Sequence, residues 1–180
     1  PAVGKFVPRV KNTAKILYLI YIGITAVEIV LLKLAGLNLF ESATLTFSTV
    51  GTGGFSIAAS GCKDYPLAAQ TIMTVFMALC GINFSVFYLL LTKRFREAWH
   101  CEEMRWYLAI MLGSGILIAI NVYRAGIVTS PYLAFHHAMF TVSSIMTTTG
   151  FATLDYNVWP QFSRTLLFIL MLLGACAGST

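Results

Sequence analysis

Charge is scarce in this sequence. Asp, Glu, Lys and Arg make up 11% of it, while 58% of its residues are hydrophobic. A soluble domain of 180 residues has too little polar surface to cover that much apolar side chain. The seven acidic residues, Glu28, Glu41, Asp64, Glu97, Glu102, Glu103 and Asp155, are spread over the ends and the interior of the apolar runs. Neither a Ser/His/Asp arrangement nor an HExxH helix accompanies them, so enzymatic chemistry, which needs groups converging at one depth, is not expected. Cysteine is equally thin. Cys62, Cys80, Cys101 and Cys176 lie far apart with no CxxC or Cys/His spacing, and unbridged thiols are expected rather than a metal site. There is no initiating methionine and no signal peptide. The chain opens on Pro1 and stops at Gly178-Ser179-Thr180 directly after an apolar run, and both ends are expected to be cuts in a longer chain.

What the sequence does have is long apolar runs. Ile16–Leu37 is broken only by Glu28 and Lys33, and Leu67–Leu91 and Trp106–Tyr123 carry no charge; Thr165–Ala177 is a fourth run. A helix needs about 20 residues to cross a bilayer core of roughly 30 Å, so the first three are predicted spans. Backbone groups in lipid must be satisfied internally, which makes these runs helices and the chain an all-α membrane protein. The net charge of +5 is distributed as topology, not as a nucleic-acid-binding face. Lys5, Arg9, Lys11 and Lys15 precede the first span, and Lys93, Arg94, Arg96 and Arg105 separate the second from the third. The positive-inside bias therefore puts the N-terminal end and the 93–105 linker in the cytoplasm.

That topology leaves Leu39–Tyr65 to explain, since it is neither a full span nor a polar loop. Asn38 with Glu41 three residues on is a helix-start signature. The helix is predicted to run over 39–49, too short to cross, and then to break into Gly51-Thr52-Gly53-Gly54. The pattern recurs. Ser130-Pro131 opens a second short helix over 131–146, with serine as cap and proline in the first turn, and it ends in Thr147-Thr148-Thr149-Gly150. Ser48–Ser56 aligns with Ser144–Ala152 at a shift of 96, and Pro66 and Met77–Ser85 align with Pro160 and Met171–Ser179 at a shift of 94. These are parallel internal repeats. The first unit comprises a span over 13–37, a pore helix over 39–49, a filter at 50–54 and a span over 66–92. After the 93–105 linker, the second comprises a span over 106–126, a pore helix over 131–146, a filter at 147–150 and an apolar segment over 160–180.

Non-helical backbone survives at membrane depth only when buried in protein or lining a watery path. Loops of Gly and Thr arranged around one axis can offer carbonyls in place of a cation's hydration shell. Glycine allows the positive φ that turns carbonyls inward, and threonine hydroxyls can add ligands or fix the loop. Each short helix would aim its negative C-terminal end at the ion, and Asp155 would concentrate cations at the outer mouth. A phosphate loop does not fit, because there a helix follows the glycines and here it precedes them. Two units close only two sides of a pore. Either two chains associate, as in a dimeric two-pore-domain potassium channel, or an intact chain holds two more units.

Three stretches carry a family resemblance: Ser48–Ser56 (STVGTGGFS), Thr147–Pro160 (TTTGFATLDYNVWP) and Gly174–Thr180 (GACAGST). With them the whole chain resembles the Trk/Ktr/HKT superfamily of cation transporters, most closely the bacterial TrkH-type membrane subunit. The resemblance implies four span–pore–span units in one chain, of which these would be the second and third. It implies potassium uptake, or mixed sodium and potassium transport, in a bacterial inner membrane, with no cofactor beyond the transported ion. Ion-binding positions would be Val50, Gly51, Thr52, Gly53 and Gly54, and Met146, Thr147, Thr148, Thr149 and Gly150. The filter glycines would be Gly54 and Gly150. The last span would be broken, with Gly174, Ala175, Cys176, Ala177, Gly178, Ser179 and Thr180 beginning an intramembrane gate. A homodimer and a cytosolic nucleotide-binding subunit of the TrkA/KtrA kind are the implied partners. The filters differ in sequence, so four-fold symmetry is not expected of the ring.

Other polar residues admit plainer readings. Glu28 is expected to snorkel outward or to pair with Lys33. His136 and His137 point about 100° apart on a helix and make a poor chelate, so packing or hydrogen bonding behind the filter is expected. Asn83, Ser85 and Asn121 suit interhelical hydrogen bonds, with Asn83 a candidate for lining the path and Gly81 a possible bend. Gly113-Ser114-Gly115 suits close helix packing. Arg164 suits a headgroup or carbonyl contact, and Trp99, Trp106 and Trp159 suit interfacial belts.

Overall fold

The computed structural model describes residues 3–58, 60–177 and 179, with side chains from Ala14 onward. Among these residues there are α-helices, one short 3-10 turn and no strand. The first unit contains α1 (Val3–Leu34), α2 (Leu39–Val50), α3 (Leu67–Cys80) and α4 (Phe84–Leu91). Next come α5 (Phe95–Trp99), α6 (Glu102–Arg124), α7 (Pro131–Met146), the 3-10 turn Tyr156–Val158 and α8 (Gln161–Leu173).

Local chemistry explains where the short helices begin. The Asn38 side chain accepts from the Glu41 N–H at 2.8 Å, and the Glu41 carboxylate accepts from the Asn38 N–H at 3.2 Å. This closes the reciprocal cap that the sequence predicts for α2. At α7 the outcome differs. Ser130 makes no side-chain cap bond, and the turn starts with Pro131, whose fixed φ suits the first helical position. At 12 and 16 residues, α2 and α7 rise about 18 and 24 Å, short of a bilayer core.

Two helices, Ala14–Leu34 of α1 and Glu102–Arg124, are long and apolar enough to cross a membrane. The predicted span over 66–92 is not one helix: α3 and α4 meet at 93°. Gly81 ends α3, and the Asn83 side-chain Oδ1 accepts from the Ser85 N–H at 2.8 Å to start α4 anew. The Asn83 side chain therefore caps its own helix rather than bridging to another. The linker is also more ordered than a loop, since α5 and the first turn of α6 occupy most of it. Its Arg94–Glu97 pair is exposed, where such pairs add little stability.

The distribution of side chains suits lipid as the solvent. Leu19, Ile22, Val27 and Val30 on α1, Ile116 and Leu117 on α6, and Phe168 and Leu172 on α8 all face outward. Ser42, Thr46, Thr49, Gln70, His136, Ser143 and Ser144 are buried. Where lipid surrounds a bundle, polar groups must find partners inside it. Gly115 packs as predicted, because a Cβ there would meet the Met139 sulfur, whereas Gly113 has nothing within 4 Å. Trp99 and Trp106 are exposed. Trp159 departs from the belt expectation: it is 2% exposed and packs in the core formed by α6, α7 and α8.

Glu28 also departs from its prediction. It neither snorkels nor pairs with Lys33. It is fully buried, and among the described residues neither carboxylate oxygen has a hydrogen-bond partner. Thr49 lies beside it but gives its hydroxyl proton to the Leu45 carbonyl at 2.8 Å. A buried carboxylate without a partner destabilises a fold, and replacing such a group with an apolar one of similar volume gains about 1–4 kcal/mol. Glu28→Met should therefore raise the unfolding midpoint of the purified protein in a detergent thermal-shift assay. A lowered midpoint would mean that the carboxyl holds α1 against α2.

Candidate functional site: paired re-entrant loops

The loops that end α2 and α7 follow one backbone path. In the first, Gly51 has φ −84° and ψ 5°, Thr52 has φ 50° and Gly54 has φ 68°. In the second, Thr147 has φ −88° and ψ 4°, Thr148 has φ 56° and Gly150 has φ 89°. The left-handed positions coincide at the shift of 96 seen in the sequence. Glycine is not the whole explanation: Gly51 does not adopt positive φ, and the threonines at 52 and 148 do. Among the described residues only Lys93 joins them as a non-glycine at positive φ. For a β-branched residue this conformation costs about 1–2 kcal/mol, and such strain persists where the surroundings over-determine it.

The surroundings are identifiable. The Gly53 and Gly54 N–H groups donate to the Ser48 carbonyl at 2.7 and 3.4 Å, and Thr52 N–H donates to Thr49 at 3.3 Å. In the second loop, Thr149 and Gly150 donate to the Ser144 carbonyl at 2.9 and 3.3 Å, and Thr148 donates to Ile145 at 3.1 Å. The equivalent serines brace both loops. Ser48 Oγ accepts from Phe55 N–H at 2.7 Å, and Ser144 Oγ donates to the Phe151 carbonyl at 2.7 Å. The loops' donors are thus consumed by the helix ends. Among the described residues, no carbonyl of 50–54 or 146–150 accepts a hydrogen bond. Carbonyls freed in this way at membrane depth need another partner, and a dehydrated cation is one that such groups can ligate.

The threonine hydroxyls fix the second loop rather than reach out from it. Thr147 donates to the Ser143 carbonyl at 2.7 Å and shares a hydrogen bond with Thr149 at 2.8 Å. The two loops also meet. A Cβ on Gly54 would run into the Thr149 carbonyl oxygen, and Cys62 N–H donates to the Ala152 carbonyl at 3.0 Å. Cys62 is buried beneath this junction, and burial pushes its thiol up to about 12.

The seam between the units includes a residue that the sequence reading passed over. Gln70 on α3 donates to the Cys62 and Tyr65 carbonyls at 2.9 and 3.0 Å, and its Oε1 receives His136 Nε2 at 2.9 Å. An amide one turn into the uncharged Leu67–Leu91 run is the available signal. His137 bonds the Thr153 hydroxyl at 3.0 Å. The two histidines thus serve different neighbours, and no group of three His, Cys, Asp or Glu able to hold a metal exists among the described residues.

The remaining candidates divide. Asp155 is exposed and accepts from the backbone and side chain of Asn157 at 2.9 and 2.8 Å, holding its own turn. Arg164 donates to the side-chain carbonyl of Gln161, one turn earlier on its own helix, at 2.6 Å. It lines a groove with Thr148 and Gly150. Asn121 accepts from Ser163 at 2.8 Å across α6 and α8, as expected. Beyond α8 the chain leaves the helix at Gly174, with φ 68°. Cys176 N–H donates to the Gly81 carbonyl at 3.1 Å, and Ala177 N–H donates to the Glu103 carboxylate at 2.6 Å. Gly178 and Thr180 lie outside the described residues.

Two parallel span–pore-helix–span units, with braced loops whose carbonyls accept no hydrogen bond among the described residues, define a membrane protein of the potassium-channel-like class. The sequence profile of the TrkH family, described as a cation transport protein, matches residues 3–180, and the chain belongs to that family. The Trk system potassium uptake protein TrkH of Escherichia coli K12 is 32% identical over 98% of this chain. TrkH of Vibrio parahaemolyticus is 34% identical over 98%, and TrkG of Escherichia coli K12 is 30% identical over 98%. The chain spans about 37% of the length of these relatives. The crystal structure of the potassium transporter TrkH from Vibrio parahaemolyticus matches with a TM-score of 0.89 at 32% identity, covering 96% of this chain and 38% of that one.

Proposed function

We propose that this chain forms two sides of a potassium uptake pathway, with residues 50–54 and 146–150 as two segments of its selectivity filter. The observation that carries this reading is the hydrogen-bond asymmetry of the loops: their N–H groups are tied to the helix ends, and among the described residues their carbonyls accept no hydrogen bond. The potassium uptake proteins to which the chain is similar supply the ion. Mixed sodium and potassium transport is the second reading, favoured by the unlike side chains of the two loops. The protein works without a cofactor and performs no enzymatic reaction.

In this reading the segment from Gly174 is an intramembrane gate, and the basic linker faces the cytoplasm of a bacterial inner membrane. A homodimer and a nucleotide-binding subunit of the TrkA/KtrA kind are the proposed partners, the latter docking on the linker side. The test is ion flux into proteoliposomes bearing the full-length protein. Potassium entry should exceed sodium entry. Equal entry of both ions would support the mixed reading, and no cation entry would overturn both.

A further inference from the structure

We propose that Glu103 is a latch residue. Its carboxylate holds the segment after α8 shut across the inner side of the filter and ties that segment's position to the cytoplasmic linker. The inference rests on the gate reading above and assigns it a controlling residue.

Three contacts converge. Ala177 N–H donates to Glu103 Oε1 at 2.6 Å. Cys176 N–H donates at 3.1 Å to the carbonyl of Gly81, the residue that ends α3 at its 93° break. One turn along α6 from Glu103, the Tyr107 hydroxyl donates to the Ala78 carbonyl at 3.1 Å. The start of α6 thus grips both the inner helix of the first unit and the non-helical segment of the second. Cys176 is 7% exposed, in the same core as Ile82, Tyr107 and Met146. That packing sets the segment in the core on which the end of α7, just before the second loop, also rests.

The residue type fits the task. A carboxylate–amide bond is stronger than a neutral one yet is a single contact, so it can hold one of two states without fixing it permanently. Glu103 is exposed, which makes the latch accessible from the linker side. Residues 95–99 form α5 just before it, so displacing α5 would move the start of α6 and release Ala177.

The test uses the full-length protein in proteoliposomes without any regulatory subunit. Glu103→Ala should raise basal potassium flux about tenfold, the shift in an open–shut ratio expected from losing one charged hydrogen bond. It should also speed alkylation of Cys176, read by peptide mass mapping. Glu103→Gln keeps an acceptor oxygen and should restore both values to near those of the parent protein. The latch is overturned if Glu103→Ala leaves flux and Cys176 labelling unchanged, or if the Gln variant behaves like the Ala variant. Deleting Ala175–Ala177 provides the separate check. If the deletion changes flux and Glu103→Ala does not, the latch alone fails. If the deletion leaves flux unchanged, the gate reading fails with it.

Discussion

Gly54→Ser should abolish selective potassium uptake while leaving a protein that folds and inserts. Two independent causes act at this position. The φ of 68° is one that L-residues adopt at a cost, about 1–2 kcal/mol. A Cβ would also collide with the Thr149 carbonyl oxygen, a backbone atom that cannot swing aside as a side-chain tip can. Relief requires the two loops to separate, which moves a row of carbonyls set for one ion. Displacing binding groups by about 1 Å is enough to cost on the order of 100-fold in rate. The collision exceeds ordinary repacking, so potassium uptake in a potassium-requiring strain should fall by about that factor while membrane expression stays normal. Gly150→Ser shares the strain, with φ 89°, but meets nothing within 4 Å among the described residues. Normal selective uptake by Gly54→Ser would remove these loops from the permeation path.

Much of this arrangement was legible in the sequence, because the features that define it are local. Asn38 and Glu41 marked the start of α2, Pro131 the start of α7, and the repeated Ser–Thr–Gly–Phe positions marked both loops. The shift of 96 predicted which residues would share a conformation, and Thr52 with Thr148 and Gly54 with Gly150 do so. What local pattern could not supply was the set of contacts between the units. Gln70 reads as one polar residue in an apolar run until α3 lies against α7 and His136 comes within 2.9 Å. Glu28 and Lys33 looked like a local pair because spacing along a helix was the only geometry available. Glu28 instead lies buried beside Thr49 of α2. Trp159 was read from its place at the edge of an apolar run, but its burial depends on α6 and α8 closing over it. The 93° break falls at Gly81, the bend that the sequence offers, but its size is not written in an uncharged run of that length.

That break supplies the second large effect. Gly81→Ala should destabilise the protein, although alanine is the better helix former. A Cβ at Gly81 would strike the Tyr107 hydroxyl and lie 2.8 Å from the Thr147 methyl. Tyr107 is held by its bond to Ala78, and Thr147 by its bond to Ser143, so neither yields freely. Overpacking of this kind costs about 1–3 kcal/mol. Because Thr147 begins the second loop, part of the cost should appear as lost uptake rather than lost stability. Removing the struck atoms separates the two. Tyr107→Phe alone forfeits one hydrogen bond, about 0.5–1.5 kcal/mol, but in the Gly81→Ala background it removes the nearest obstacle. The double variant should therefore be more stable than the sum of the single variants by a measurable coupling, within the roughly 0.5–3 kcal/mol seen for contacting residues. Adding Thr147→Ser, which deletes the methyl and keeps the hydroxyl bonded to Ser143, should return uptake further toward the parent value. Strict additivity in thermal shift, with no recovery of uptake, would mean that the α3–α4 break and the second loop are not in contact. Glu103 would then have no firm seam through which to act.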